Sequence, residues 1–235
     1  MHGFESAFGL AFGLLFSADA DLMEIIALSL RVSLTALLVS CLIGLPLGAL
    51  VATCRFWGRS ALLVLMNALM GLPPVVVGLI VYLYLSRAGP LGWMQLLYTP
   101  TAMIIAQTIL ITPIIAALSR QILEDLHEEY SEQFRSLNVP WPAEIAALLW
   151  DGRFSLITVA LAGFGRSIAE VGAVIIVGGN IDHLTRVMTT AIALETSKGD
   201  LPLALALGLV LLVIALTVNA LAFVMRQAAS KFAYA

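Results

Sequence analysis

Charge is scarce in this chain. Asp, Glu, Lys and Arg make up 11% of its 235 residues, and the only lysines are Lys198 and Lys231. A soluble domain carries about 25% charged residues. The net charge of −3 and the isoelectric point near 5.6 give no basic surface for nucleic acid. Cysteine occurs only as Cys41 and Cys54. They lie in or beside one apolar run, without metal-ligand spacing and without the numbers for a disulfide framework, and read as small packing residues. No G-x-x-x-x-G-K-[ST] loop is present to cradle ATP phosphates. No serine nucleophile elbow and no paired histidine ligands occur either. The chain therefore reads as neither an enzyme nor a metal or cofactor protein. No Lys or Arg precedes the first apolar stretch, so no cleavable signal peptide is read.

What the chain has instead is apolar surface. Hydrophobic residues make up 61% of it, and the mean hydropathy is +1.01. A water-soluble domain of this length could not hide so much. Residues 32–53, 60–86, 88–119 and 201–225 carry no charge, and each is long enough for the ~20 apolar residues that cross a bilayer. Residues 154–181 form one more such run, interrupted by Arg166 and Glu170. The expected architecture is an all-α, polytopic membrane helix bundle of about five transmembrane helices. Residues 8–16 suggest an interfacial helix within an N-terminal segment 1–24, or else a sixth span. Pro46, Pro73, Pro74 and Pro113 fall inside spans, where each bends its helix, either for packing alone or around a pathway. No internal repeat is visible, which disfavours the inverted-repeat plan of secondary transporters.

Orientation follows from the basic residues. Arg55, Arg59, Arg120, Arg135, Arg153, Arg226 and Lys231 fall on one side, and Arg31, Arg87, Arg186 and Lys198 on the other. This places the N-terminus outside, the C-terminal residues 227–235 in the cytoplasm, and the long polar loop 120–153 inside the cell. In that loop Leu126, Tyr130, Phe134 and Leu137 recur at helical spacing. Asn138 stands where a helix can close through a left-handed residue. Pro140 and Pro142 then force a stop, and residues 143–150 read as a second short helix. The loop either packs on its own bundle or docks into a partner's groove.

Arg166 and Glu170 stand four residues apart, so they can pair on one helix face. Unpaired, each charge would cost about 2.5–3.5 kcal/mol or more at mid-membrane. Two roles stay open. The pair is a structural bridge that sets helix rotation, or it lines a route in which Arg166 tempers an anion's passage and Glu170 keeps it from sticking. Ser167, Thr189 and Thr190 are candidate hydroxyl contacts for an oxyanion, or satisfy local backbone groups.

Two motifs carry a resemblance. Glu132, Gln133, Phe134 and Asn138 are similar, as E-Q-F-x-x-x-N, to the cytoplasmic E-A-A-x-x-x-G motif of binding-protein-dependent ABC importer permeases. The stretch GFGRSIAEVGAVIIVGGN (163–180), with TRVMTTAIALETSKGD (185–200) and GLPPVVVG (71–78), resembles permeases of tungstate and molybdate ABC importers. The resemblance implies a type I importer permease domain over residues 25–226, with 120–153 as the loop that couples to an ATPase. It implies a pathway for a tetrahedral oxyanion, tungstate first and molybdate second. It also implies the partners: a second permease copy, a separate ATPase subunit that binds ATP and Mg, an extracytoplasmic substrate-binding protein, and the lipid of a prokaryotic plasma membrane. The alternative function is a secondary transporter or channel that needs no ATPase.

Overall fold

The computed structural model describes Gly13, residues 20–54 and residues 56–233. The expected interfacial helix at 8–16, Gly13 apart, lies outside the described residues, as do most of the 1–24 segment and Arg55. Among the described residues every regular element is helical. In chain order they are α1 (Ala20–Thr53), α2 (Arg59–Met70), α3 (Pro74–Leu85), a 3-10 turn (Gly92–Met94), α4 (Pro100–Ser136), α5 (Trp141–Asp151), α6 (Arg153–Ile168), α7 (Gly172–Gly178), α8 (Met188–Lys198) and α9 (Leu201–Ala233). Three of them, α1, α4 and α9, are long and apolar enough to cross a membrane. Two broken pairs, α2 with α3 and α5 with α6, bring the number to five when each pair counts as one span.

Three expectations need correction. Residues 60–86 are not one helix: the chain leaves helical geometry at Gly71, Leu72 and Pro73 before α3 begins at Pro74. Consecutive prolines explain this, because the residue before a proline is pushed out of the α region and proline suits a first helical turn. Residues 154–181 are likewise not one helix, since α6 stops at Ile168 and α7 starts at Gly172. Finally, the helix expected in the polar loop is no separate element but the continuation of the 37-residue α4. By contrast Pro46 and Pro113 remain inside α1 and α4.

The chain divides into two compact units. The first comprises 1–36, 73–107 and 165–217; the second comprises 37–72, 108–164 and 218–235. In the first unit α3 packs on α7. A Cβ on Gly78 would lie 2.8 Å from the Ala173 Cα, so only glycine permits this approach. In the second unit Ala49, Ala52, Leu123, Leu148 and Leu156 form a buried cluster, with Tyr130 and Phe134 packed against it. Gly48 lets α1 meet α4 there: its Cβ would sit 2.8 Å from the Ala116 carbonyl oxygen.

Candidate functional site

The interruption between α6 and α7 is where Arg166 and Glu170 sit. Glu170 N–H donates to the Ser167 carbonyl (3.1 Å), which closes a tight turn. Arg166 occupies the last turn of α6, where a cation suits the helix C-terminus. Its Nη1 lies 2.5 Å from Glu170 Oε2. The other carboxylate oxygen accepts the Ala173 N–H at 3.2 Å. The Thr189 hydroxyl donates to the Glu170 carbonyl at 2.8 Å, which brings in the first turn of α8. Glu170 thus ties together the end of α6, the start of α7 and the start of α8. The two partners differ in environment: the Glu170 side chain is 4% exposed and the Arg166 side chain 39%.

The neighbouring hydroxyls are occupied. Ser167 donates to Gln107 Oε1 (2.8 Å), and Gln107 Nε2 donates back to the Ser167 carbonyl (3.1 Å). Thr190 exchanges hydrogen bonds with the Val187 backbone, donating to its carbonyl and accepting its N–H, both at 3.1 Å. The Ser29 hydroxyl donates to the Ile25 carbonyl (2.6 Å) and accepts the Met188 N–H (2.8 Å). Ser167, Thr189 and Thr190 are all buried. A cavity of about 10 Å³ remains among Ser29, Ser33, Gln107, Glu170 and Thr189, which is room for about one water. Gln107 and Ser29 escaped the sequence reading. Their signal was polarity inside otherwise apolar runs.

The elbow between α4 and α5, in the second unit, closes as its sequence suggested. Leu137 N–H donates to the Gln133 carbonyl and Val139 N–H to that of Phe134, each at 3.0 Å. Asn138 takes the left-handed conformation, with φ 49°. Phe134 turns inward, edge-on to Tyr130 with ring centroids 6.0 Å apart, against the Leu123, Leu148 and Leu156 cluster. Glu132, Gln133 and Asn138 are exposed, and Leu137 is 75% exposed. His127 Nδ1 meets Glu144 at 2.6 Å and bridges α4 to α5. Trp141 Nε1–H donates to Thr53 Oγ1 at 3.1 Å. Glu124 holds both Arg120 and Arg59. Nothing local in the sequence marks Glu144 as the partner of His127.

His183 stands in the connection between α7 and α8. It is exposed, but its Nδ1 lies 2.8 Å from Glu24 Oε2. Asp21 joins them, and the ligand atoms of all three lie within 4.8 Å of one another. The hydrogen bond to Glu24 is the largest cause raising the His183 pKa, helped by the charges of Asp182, Glu24 and Asp21. A sequence separation of 159 hides this pairing from the sequence.

Long apolar helices and two broken pairs are the build of a multi-pass membrane protein. Residues 44–231 match the binding-protein-dependent transport system inner membrane component, and the chain belongs to that family. It is 41% identical over 220 residues to the tungstate uptake system permease protein TupB of Peptoclostridium acidaminophilum, covering 94% of this chain and 96% of that one. It is 40% identical over 205 residues to a probable anion ABC transporter permease protein of Haloferax volcanii, covering 85% and 88%. It is 36% identical over 206 residues to TupB of Campylobacter jejuni, covering 88% and 86%. The chain is thus the non-catalytic inner-membrane component of an ABC importer, whose ATPase is a separate subunit. The family implies a substrate-binding protein as the other partner.

Proposed function

We propose that this chain forms the translocation pathway of an ATP-driven importer for a tetrahedral oxyanion, tungstate first and molybdate second. The observation that carries the reading is Arg166, a cationic side chain left 39% exposed where its partner Glu170 is buried. The substrate comes from the likeness to two tungstate uptake permeases. The exposed side of Arg166 has small neighbours: Ala169 is exposed, and nothing lies within 4 Å of where a Gly165 Cβ would stand. A charged side chain within a membrane bundle faces its interior or a water-filled cavity rather than lipid. In this reading Ser167, Thr189 and Thr190 hold the turn rather than touch the anion. Their donor protons are already given to protein acceptors.

The importer comprises two copies of this chain in the plasma membrane, two ATPase subunits that bind ATP and Mg, and an extracytoplasmic binding protein. Residues 25–226 form the permease domain, the N-terminus lies outside, and the tail 227–235 is cytoplasmic. The loop 120–153 couples to the ATPase. Glu132, Gln133 and Asn138 face it, while Phe134 holds the elbow's shape from inside. The elbow follows the closing ATPase pair as one packed body and switches the helices between two discrete arrangements.

The test is ATP-dependent tungstate uptake by the reconstituted complex. Arg166→Ala is expected to abolish uptake, with the protein still in the membrane and still bound to its ATPase. Normal uptake by that variant overturns the pathway role.

A further inference from the structure

We infer that Glu170 is a resident anion of the pathway: its carboxylate shares the Arg166 guanidinium with each passing oxyanion and keeps that oxyanion from binding tightly. This rests on the oxyanion-permease reading above. Two donors converge on the carboxylate, the Arg166 guanidinium on Oε2 at 2.5 Å and the Ala173 N–H on Oε1 at 3.2 Å. A guanidinium combined with a main-chain N–H is a donor set suited to a free oxyanion. Here a protein carboxylate already fills it.

The sharing follows from the geometry. A guanidinium has five N–H donors in a planar fork. One of them is engaged by Glu170 from the buried side. The half-exposed side of Arg166 leaves room for a second anion, beside the open space at Gly165. A dianion arriving there meets one positive charge that is already paired, and a carboxylate directly behind it. Attraction and repulsion then nearly offset. Conduction needs that balance, because a site must bind weakly enough to release. The hydroxyls of Ser167, Thr189 and Thr190 donate to protein acceptors, so they do not strengthen the grip.

Removing the negative charge should therefore turn a point of passage into a trap. Glu170→Gln keeps the size of the side chain and the oxygen that accepts the Ala173 N–H. The complex of this chain with its ATPase is placed in nanodiscs without the binding protein, and labelled tungstate binding is measured by equilibrium dialysis. Glu170→Gln is expected to bind at least tenfold more tightly than wild type and to turn over more slowly in uptake. Glu170→Ser removes the carboxylate by a different route and carries the same expectation. Arg166→Gln combined with Glu170→Gln should lose the gain. Glu170→Asp keeps the charge and should bind as weakly as wild type, whatever happens to its transport rate.

The inference is overturned if neither neutral variant gains affinity, if the double variant keeps the gain, or if Glu170→Asp gains as much as Glu170→Gln. Failure of both neutral variants to assemble with the ATPase also overturns it, because the carboxylate then serves the fold alone. Wild-type uptake separates the two levels. If the wild-type complex moves no oxyanion, the permease reading fails. If it moves tungstate and the variants show no gain, only the resident anion fails.

Discussion

Glu170 takes most of its contacts from within four residues, whereas His183 takes its partner from a sequence separation of 159, and the two were legible to different degrees. The sequence exposed the charge of Glu170 inside an apolar run, and its spacing from Arg166 announced the ion pair that the structure contains. It concealed that the pair sits at an interruption, because GFGRSIAEVGAVIIVGG contains no proline to mark one. The turn is set by two local contacts, to the Ser167 carbonyl and from the Ala173 N–H, and by Thr189, which only the folded chain brings to it. His183 offered no signal, since its partner Glu24 belongs to α1. Protonated His183 is the form that Glu24 holds, so the folded pKa is raised. This contact contributes fully below the ordinary value of about 6.5 and fades as pH rises through the raised value. Histidine modification by an acylating reagent, followed at this residue against pH, should show His183 reacting only above its ordinary range. Glu24→Gln should move the onset back down. An unmoved onset would remove Glu24 as the cause.

Among the elements, the elbow was the most legible. Phe134, Asn138, Pro140 and Pro142 specify a helix stop through local chemistry alone, and Asn138 adopts the conformation expected of such a stop. The missing part was length: α4 runs unbroken through Ser119 and Arg120, so the membrane segment and the loop helix are one rod. Hydropathy could not reveal this, because a helix passing from lipid to water changes composition without changing geometry. The left-handed residue yields a prediction. Asn138→Gly should leave the turn intact, since glycine takes positive φ freely. Asn138→Val should cost about 1–2 kcal/mol, because a β-branched residue is strained there. The thermal midpoint of the purified complex reads the cost, and recovery of the ATPase on pull-down reads the coupling. Equal midpoints for the Gly and Val variants would contradict the cap. The broken pair at Gly71–Pro73 is the converse case. Its prolines were seen, but read as bends within one helix rather than as an end and a new beginning.

For the whole chain, composition alone identified lipid as the surrounding solvent, and the all-helical architecture agrees with it. Among the described residues, counting each broken pair as one span gives up to five crossings. With five crossings the two ends would fall on opposite sides, and the basic residues argue for the proposed inside C-terminus. A reporter active only in the cytoplasm, fused after Ala235, should be active. A cysteine introduced at Asp182 should react with an impermeant thiol reagent added outside intact cells. A silent C-terminal reporter would reverse the orientation. The division into two compact units was not legible, because α1, α4, α6 and α9 each contribute to both. A helix can be read from spacing, but how its halves are shared between cores depends on contacts across the chain. One consequence concerns voltage. Arg166 and Glu170 carry opposite charges and are bound to each other, so as a couple they carry no net charge through the membrane field. Moving one elementary charge across 100 mV takes about 2.3 kcal/mol, whereas displacing this neutral couple takes essentially none. The resting potential of the cell therefore does essentially no work on the couple itself.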